Sequence, residues 1–231
     1  MGKVVLESQT AFVHDRQIMD GLLIANEVVN EARKLKKKLM LFKVDFEKAY
    51  DSIDWNYLDT VMSRMGFRTL WRKWIKECIG TASASVLMNG SPTTEFPLKR
   101  GLRQGDPLSP FLFLLAVEGL NVLMKAVVDS NLFIGYRFGL HNELFVSHLQ
   151  FADVTLLMGE KSWANVRAFR AVFVLFESVS GLKVNFHKSM LSGINIGESW
   201  LGAAATVLSC IVGRVPFMYL ELPVGGDVGG C

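Results

Sequence analysis

Cysteine is scarce in this sequence. Cys78, Cys210 and Cys231 are far apart, odd in number and show no Cys-x-x-Cys spacing. They exclude a disulfide framework, provide no paired thiolates for zinc, and make a reducing compartment the default. The N-terminus MGKVVLESQT has no apolar signal core, and Leu6 breaks the myristoylation pattern that Gly2 would begin. A long clean hydrophobic run is also missing. The most apolar stretch, Phe111 to Val128, is interrupted by Glu118, Asn121 and Lys125, as in a buried amphipathic helix. These absences predict a soluble intracellular protein of cytoplasm or nucleus, with no membrane partner.

Strong net charge is absent too: the formal charge is +3. It is unevenly spread, because residues 1–110 carry a basic surplus and residues 111–231 a slight acidic one. Arg33, Lys34, Lys36, Lys37, Lys38 and Lys43 fall in eleven residues without an acid. Such a run suits either a polyanion-facing patch or a solvated helix end.

What is present is hydrophobic mass. Half of the 231 residues are apolar, enough for a core in one domain or two joined lobes. Residues 17–35 have the periodicity of a helix that ends in the lysine cluster, where cations suit the helix dipole. LMLFKVDF, residues 39–46, reads as a buried central strand that delivers Asp45 at its end. Residues 54–65 predict a helix stopped at Gly66. Residues 69–79 predict another, with Leu70, Trp74, Ile75, Cys78 and Ile79 inward and Arg72, Lys73 and Lys76 outward.

Asn89-Gly90 marks a hairpin turn, and a long helix over 110–128 starts at Asp106-Pro107 or Ser109-Pro110. LFVSHLQF and VTLLMG meet at Ala152-Asp153 as a second hairpin with Asp153 near its tip. Helix 163–179 buries Val166, Phe169, Phe173 and Phe176 before Gly181. LKVNFHKSML reads as a strand, helix 198–211 follows, and PFMYLELPVGG ends the ordered pattern. From the residues alone, this is an α+β or α/β unit with one antiparallel hairpin.

Two carboxylates carry the candidate chemistry. If the strand ending at Asp45 neighbours the hairpin tipped by Asp153, both reach one sheet edge. Magnesium favours such oxygen ligands, completed by substrate phosphates, and two ions about 4 Å apart can serve phosphoryl transfer. The same pair would also suit a magnesium phosphohydrolase. RGLRQG offers glycine-freed backbone amides, with Arg100 and Arg103, ahead of a helix N-terminus; it reads either as a phosphate loop or as a plain turn. Tyr50 is close enough in chain to wall the same site.

Taken in order, QTAFVHDRQIMDGLLIANEV, LFKVDFEKAYDSIDW, GSPTTEFPLKRGLRQGDPLSPFLF, FAD, GLKVNFHKS and PFMYLELPVGG resemble the reverse transcriptase of plant non-LTR (LINE-type) retrotransposons. The resemblance runs through nearly the whole chain. It implies an α+β polymerase palm with an RRM-like antiparallel sheet flanked by helices. Residues 1–38 would be partial fingers, 39–192 mostly palm with inserted fingers helices, and 193–231 the end of the palm and start of the thumb.

The implied activity is RNA-directed DNA polymerisation, with an RNA template, a DNA primer and dNTPs as partners and two magnesium ions, replaceable by manganese, as cofactors. Asp45 and Asp153 would be the metal-binding carboxylates, with the carbonyl of Phe46 a further ligand. Tyr50 matches the aromatic gate against the ribose 2′-hydroxyl. Arg103, Gln104 and Gly105 match the segment at the nascent base pair, Arg16 a fingers arginine near triphosphate or template, and Lys188 a proton donor toward pyrophosphate. Lys36, Lys37, Lys38, Arg72, Lys73 and Lys76 would meet the nucleic-acid backbone.

The chain departs from the family pattern at two positions. Val154 stands where the second aspartate of Phe-Ala-Asp-Asp belongs, and Glu221 replaces the glycine of Tyr-Leu-Gly-Leu-Pro in the segment expected to grip the primer. If position 154 acts only through a ligand's orientation, its loss costs about 10–100-fold in metal affinity or activity. If it is itself a ligand, polymerisation nearly vanishes and a silent nucleic-acid-binding remnant is left. Without endonuclease or ribonuclease H regions, the chain is expected to be a partial copy from a longer retrotransposon polyprotein.

Overall fold

The computed structural model describes residues 18–139 and 144–226. Its centre is a five-stranded sheet. We label the strands β1 (Leu39–Val44), β2 (His148–Phe151), β3 (Val154–Glu160), β4 (Met190–Ile194) and β5 (Ile211–Val212), in spatial order β5-β4-β1-β3-β2. The first four in chain order pair antiparallel, and β5 adds a short parallel edge. The β4-β1-β3-β2 order is the RRM-like palm arrangement.

β1 is buried on both faces except at Lys43, which explains its otherwise apolar reading. Met40, Phe42 and Val44 point into one core with helices α3 (Trp55–Arg64), α5 (Ser109–Asp129), α6 (Trp163–Ser180) and α7 (Glu198–Leu208). Phe42 stacks on Phe169 of α6 at 5.6 Å. Leu39 and Leu41 point to the other face, under α1 (Ile18–Lys34), the paired segments Tyr136–Phe138 and Leu144–Val146, and the hairpin 217–224. Two further helices, α2 (Ala49–Ser52) and α4 (Thr69–Gly80), complete the set among the described residues.

Capping follows the local sequence. Asp54 accepts from the backbone amides of Asn56 and Tyr57 at the start of α3, Ser162 caps α6, and Gly181 ends α6 at φ 77°. α5 begins at Ser109 with Pro110 in its first turn, while the Asp106 carboxylate accepts from Leu108 N–H. α5 is long and apolar enough to cross a membrane by length and composition, yet it lies largely buried against α3 and α6.

Four expectations change. The helix expected over 198–211 stops at Leu208, where Ser209 turns left-handed at φ 58°, and Ile211–Val212 is strand β5. In α4 only Ile75 is buried and Ile79 half-buried, whereas Leu70 and Trp74 are 59% and 57% exposed and Cys78 is exposed. The helix touches the body mainly through α3, so one narrow stripe suffices. LFVSHLQF is not one strand: Leu144–Val146 pairs with Tyr136–Phe138, and only His148–Phe151 runs beside β3. LKVNFHKSML is broken by a turn over residues 186–188, between Lys183–Val184 and β4, because Ser189 N–H and Lys188 N–H bond back to the Asn185 carbonyl.

α5 and β2 share a buried polar chain. His148 Nε2 lies 2.8 Å from Asn121 Oδ1, Asn121 Nδ2 donates to Glu118 Oε2 at 2.8 Å, and His148 Nδ1 lies 2.9 Å from Ser147 Oγ. The interruptions at Glu118 and Asn121 are thus the polar seam that fastens the helix to the strand. Burial holds His148 neutral and pushes its pKa down to about 4. In the unfolded chain the imidazole regains its ordinary pKa of about 6.5, so between these values unfolding takes up a proton. Stability is therefore expected to fall as pH drops from about 6.5 to 4, by roughly 2–4 kcal/mol at the limit. Urea melts across that window should show the slope in the parent chain and a shallower one in His148→Gln; equal slopes would refute the assignment.

Candidate active site at the carboxyl end of β1

β1 ends at Val44, and the next residue, Asp45, is locked by its backbone. Its N–H donates to Ser189 Oγ at 3.1 Å and its carbonyl accepts from Asn185 N–H at 2.8 Å. Phe46 and Glu47 continue the pairing opposite Val184 and Lys183. Hydrogen-bonded and non-bonded pairs alternate in an antiparallel ladder, and Asp45–Asn185 is of the bonded kind. The Phe46 carbonyl is therefore turned away from Val184, toward the β2–β3 hairpin.

That hairpin closes through Ala152-Asp153, with Phe151 opposite Val154. Ala152 has φ 49°, a left-handed conformation uncommon for a residue with a side chain. Asp153 at the tip is exposed. Extending the register of β1 against β3, in which Val44 faces Thr155, puts Asp45 beside Val154 and Phe46 beside Asp153. Val154 lies on the Asp45 side of the sheet, half-buried against the α1-side cluster.

Tyr50 forms the wall. It sits on α2 directly after Lys48, whose φ of 48° turns the chain back, and its ring stacks on Phe113 of α5 at 4.8 Å. Burial raises the Tyr50 pKa, and the charge of Asp153 raises it further, so hydroxyl and carboxylate share one local field. Tyr50 thus lies near Asp153, and the register of β1 brings Asp45 to the same end of the sheet.

The RGLRQG loop is fastened to the same segment. Leu102 N–H donates to the Tyr50 carbonyl at 2.7 Å, Gly101 N–H to that of Ile53 at 2.8 Å, and Trp55 Nε1 to that of Gly101 at 2.7 Å. At Gly101, with φ 85°, a Cβ would come within 2.7 Å of the Asp51 carbonyl oxygen, so glycine is required. Arg103, Gln104 and Gly105 lie beyond these anchors, exposed and beside Asp51.

Other candidates lie elsewhere. Lys36, Lys37 and Lys38 precede β1, at its opposite end from Asp45 and about 20 Å away by strand rise. Lys37 is bound to Glu31 at 3.0 Å and lies over the Tyr136 ring. Arg72 is engaged as well: its guanidinium takes both oxygens of Asp59 and donates to Ser63 Oγ at 2.9 Å, and this hydrogen bonding holds the Asp59 carboxyl low. It ties α4 to α3 and is not offered to a phosphate. Lys73 and Lys76 are exposed on α4, Lys76 near enough to Asp59 that its charge helps hold that carboxyl low, Lys188 is exposed in the 186–188 turn, and Arg16 lies outside the described residues.

The family model for reverse transcriptase (RNA-dependent DNA polymerase) matches residues 1–204. The chain belongs to the reverse transcriptase family. Its relatives include the Pol polyprotein of the R2 retrotransposable element of Popillia japonica, 25% identical over 91% of this chain and 28% of the relative. An uncharacterized transposon TX1 protein of Xenopus laevis is 30% identical over 54% of this chain and 10% of the relative. This reverse transcriptase chain therefore spans well under a third of the length of either. Among solved structures, telomerase of Candida tropicalis truncated from its C-terminal domain superposes with a TM-score of 0.60 at 13% identity, over 83% of this chain and 37% of that one. Telomerase of Candida albicans, in complex with a telomeric RNA fragment, gives 0.61 over 84% and 32%. At such identity the likeness is one of fold, and it bears out the palm architecture.

The substitution at Glu221 also acquires a local meaning. Leu220 and Glu221 form the two-residue turn between Phe217–Tyr219 and Leu222–Val224, with φ of 52° and 62°. A turn of this hand favours glycine, and an ordinary residue in it costs about 1–2 kcal/mol. Glu221→Gly is expected to raise Tm by about 2–4 °C, as about 1 kcal/mol does in a domain of this size. An unchanged or lower Tm would show that the carboxylate compensates for the strain.

Proposed function

We propose that this chain is the palm and partial fingers of a non-LTR retrotransposon polymerase that copies an RNA template into DNA, adding dNTP units to a primer 3′-hydroxyl. The observation that supports the reading is that the register of β1 brings Asp45 to the end of the sheet where Tyr50 lies near Asp153, with the loop at Gly101 and Leu102 fastened to the Tyr50 segment. The domain reading is 1–38 partial fingers, 39–192 mostly palm and 193–231 the end of the palm with the start of the thumb. A plant source for the element is supported by 42% identity over 69 residues to an uncharacterized mitochondrial protein of Arabidopsis thaliana.

The donor set suits magnesium. Two carboxylates and the Phe46 carbonyl are hard oxygen donors, and no group of three or more His, Cys, Asp or Glu residues gathers among the described residues. Magnesium commonly takes only one or two carboxylates and completes its shell with substrate phosphates and water. Bound there, a pair of ions would activate the primer hydroxyl and stabilise charge on the α-phosphate and the departing pyrophosphate.

The chain's own residues do the rest. Asp45, fixed through Ser189 and Asn185, holds its carboxylate at the primer end. Asp153 brings the second carboxylate to the triphosphate. Tyr50, held flat against Phe113, crowds the sugar 2′ position, so a deoxyribose fits better than a ribose. Arg103, Gln104 and Gly105 border the nascent base pair, and Lys188 donates a proton toward pyrophosphate. The resemblance gives Arg16 to the triphosphate or the template, and Lys73 and Lys76 to the nucleic-acid backbone.

Val154 removes a carboxylate beside Asp45 without removing Asp45 or Asp153. The expected outcome is template-dependent extension with magnesium by the parent chain, increased about 10–100-fold by Val154→Asp, as for restoration of a group that orients metal ligands. Asp45→Asn should abolish extension in either background. No extension by the parent chain or by Val154→Asp would overturn the reading, and hydrolysis of simple phosphate esters without primer would replace it with phosphohydrolase chemistry.

A further inference from the structure

Lys43 breaks the apolar run of β1, and no role assigned above uses it. It occupies a central strand, between Leu156 of β3 and Met190 of β4 by register. Its side chain lies on the Asp45 face, two residues earlier, about 7 Å along the strand. Leu41, the next residue inward on that face, is buried, whereas Lys43, Asp45, Val154 and Met190 are all partly open. The covered face thus ends just at Lys43, and the open strip runs from there to Asp45.

The ammonium donates to the Met218 carbonyl at 2.8 Å. An ammonium has three donors, and Lys43 forms no ion pair among the described residues. Its registered neighbours on both sides are apolar. A lysine is seldom set among such neighbours in a central strand, where an aliphatic residue would pack without desolvating a charge. The arrangement leaves a cation propped against the 217–224 hairpin, with donors to spare, about one nucleotide of backbone from the carboxylate expected at the primer end.

We propose that Lys43, braced by the Met218 carbonyl, binds the primer-strand phosphate one step behind the reacting 3′ end. This rests on the polymerase reading given above. The strand being extended must place its terminal hydroxyl at Asp45, so its next phosphate follows the open strip, and the strip carries one cation. Glu221, exposed at the turn of the bracing hairpin, sets a carboxylate near the same path.

The test is binding of a primer–template duplex by the full chain, followed by fluorescence anisotropy over a salt series. Lys43→Met keeps the packing volume and removes the charge. It is expected to lower the slope of log affinity against log salt by about 0.7–0.9, the contribution of one phosphate contact. Lys43→Arg should restore the slope, and Lys125→Gln, at the far end of α5, should leave it unchanged. An unchanged slope in a Lys43→Met chain that melts normally overturns the proposal while leaving the polymerase reading intact. If Lys43→Met does not fold, Lys43→Arg with a parental slope and Lys43→Gln with a reduced one support it, and equal slopes in all three refute it. Absence of salt-dependent binding by the parent chain overturns both.

Discussion

The position of β1 between β3 and β4 is the constraint on which the site depends. Both faces of β1 are buried, in two different clusters, so its register cannot slip by one residue without exchanging Phe42 for Leu41 across the sheet. That exchange would strip Phe42 from the aromatic contacts of α6. It would also turn Asp45 into the helical core, where an unpaired carboxylate is strongly disfavoured. The placement of one charged side chain at the sheet edge is therefore enforced by apolar packing along the whole strand. The bonds from Ser189 and Asn185 only fix the last step.

Much of this was legible in the sequence. The run LMLFKV, apolar except at Lys43, reads as a buried central strand, and its charged boundary places Asp45 at the exit. Glycines at 66, 90 and 181 marked turns and helix ends that the structure uses at positive φ. What could not be read was where covered surface stops. Trp74 and Leu70 have the spacing of a buried stripe, yet α4 has too few neighbours to cover them. Periodicity reports amphipathicity; it does not report whether a partner is present. The same limit made Arg72 look like a solvated cation, because its partner Asp59 lies on another helix at a spacing that no local pattern reveals.

The lysine cluster shows how chain proximity misleads in a strand. Lys38 and Asp45 are seven residues apart, a short distance in a helix but nearly the full length of β1 when extended. Charge density along the sequence therefore marks the end of the sheet away from Asp45. The alternation of the strand selects differently: the basic residue on the face of Asp45 is Lys43, which was counted with the cluster but belongs to the open strip.

Val154 can be weighed on the same geometry. A carboxylate at position 154 would stand across from Asp45 and diagonal to Lys43, adding negative charge beside the carboxylate proposed to hold a metal. Valine instead packs its methyl groups on the α1-side cluster. The substitution lowers the charge available to a metal while it extends the apolar support of the hairpin. Asp153 is affected least, because it projects from the tip, past the left-handed Ala152, where the strict alternation of β3 has ended. Valine at 154 leaves the frame that carries the two aspartates intact, whatever charge the proposed metal site loses beside Asp45. A chain with its register, capping and loop anchors all in place keeps the geometry that a restored carboxylate would need.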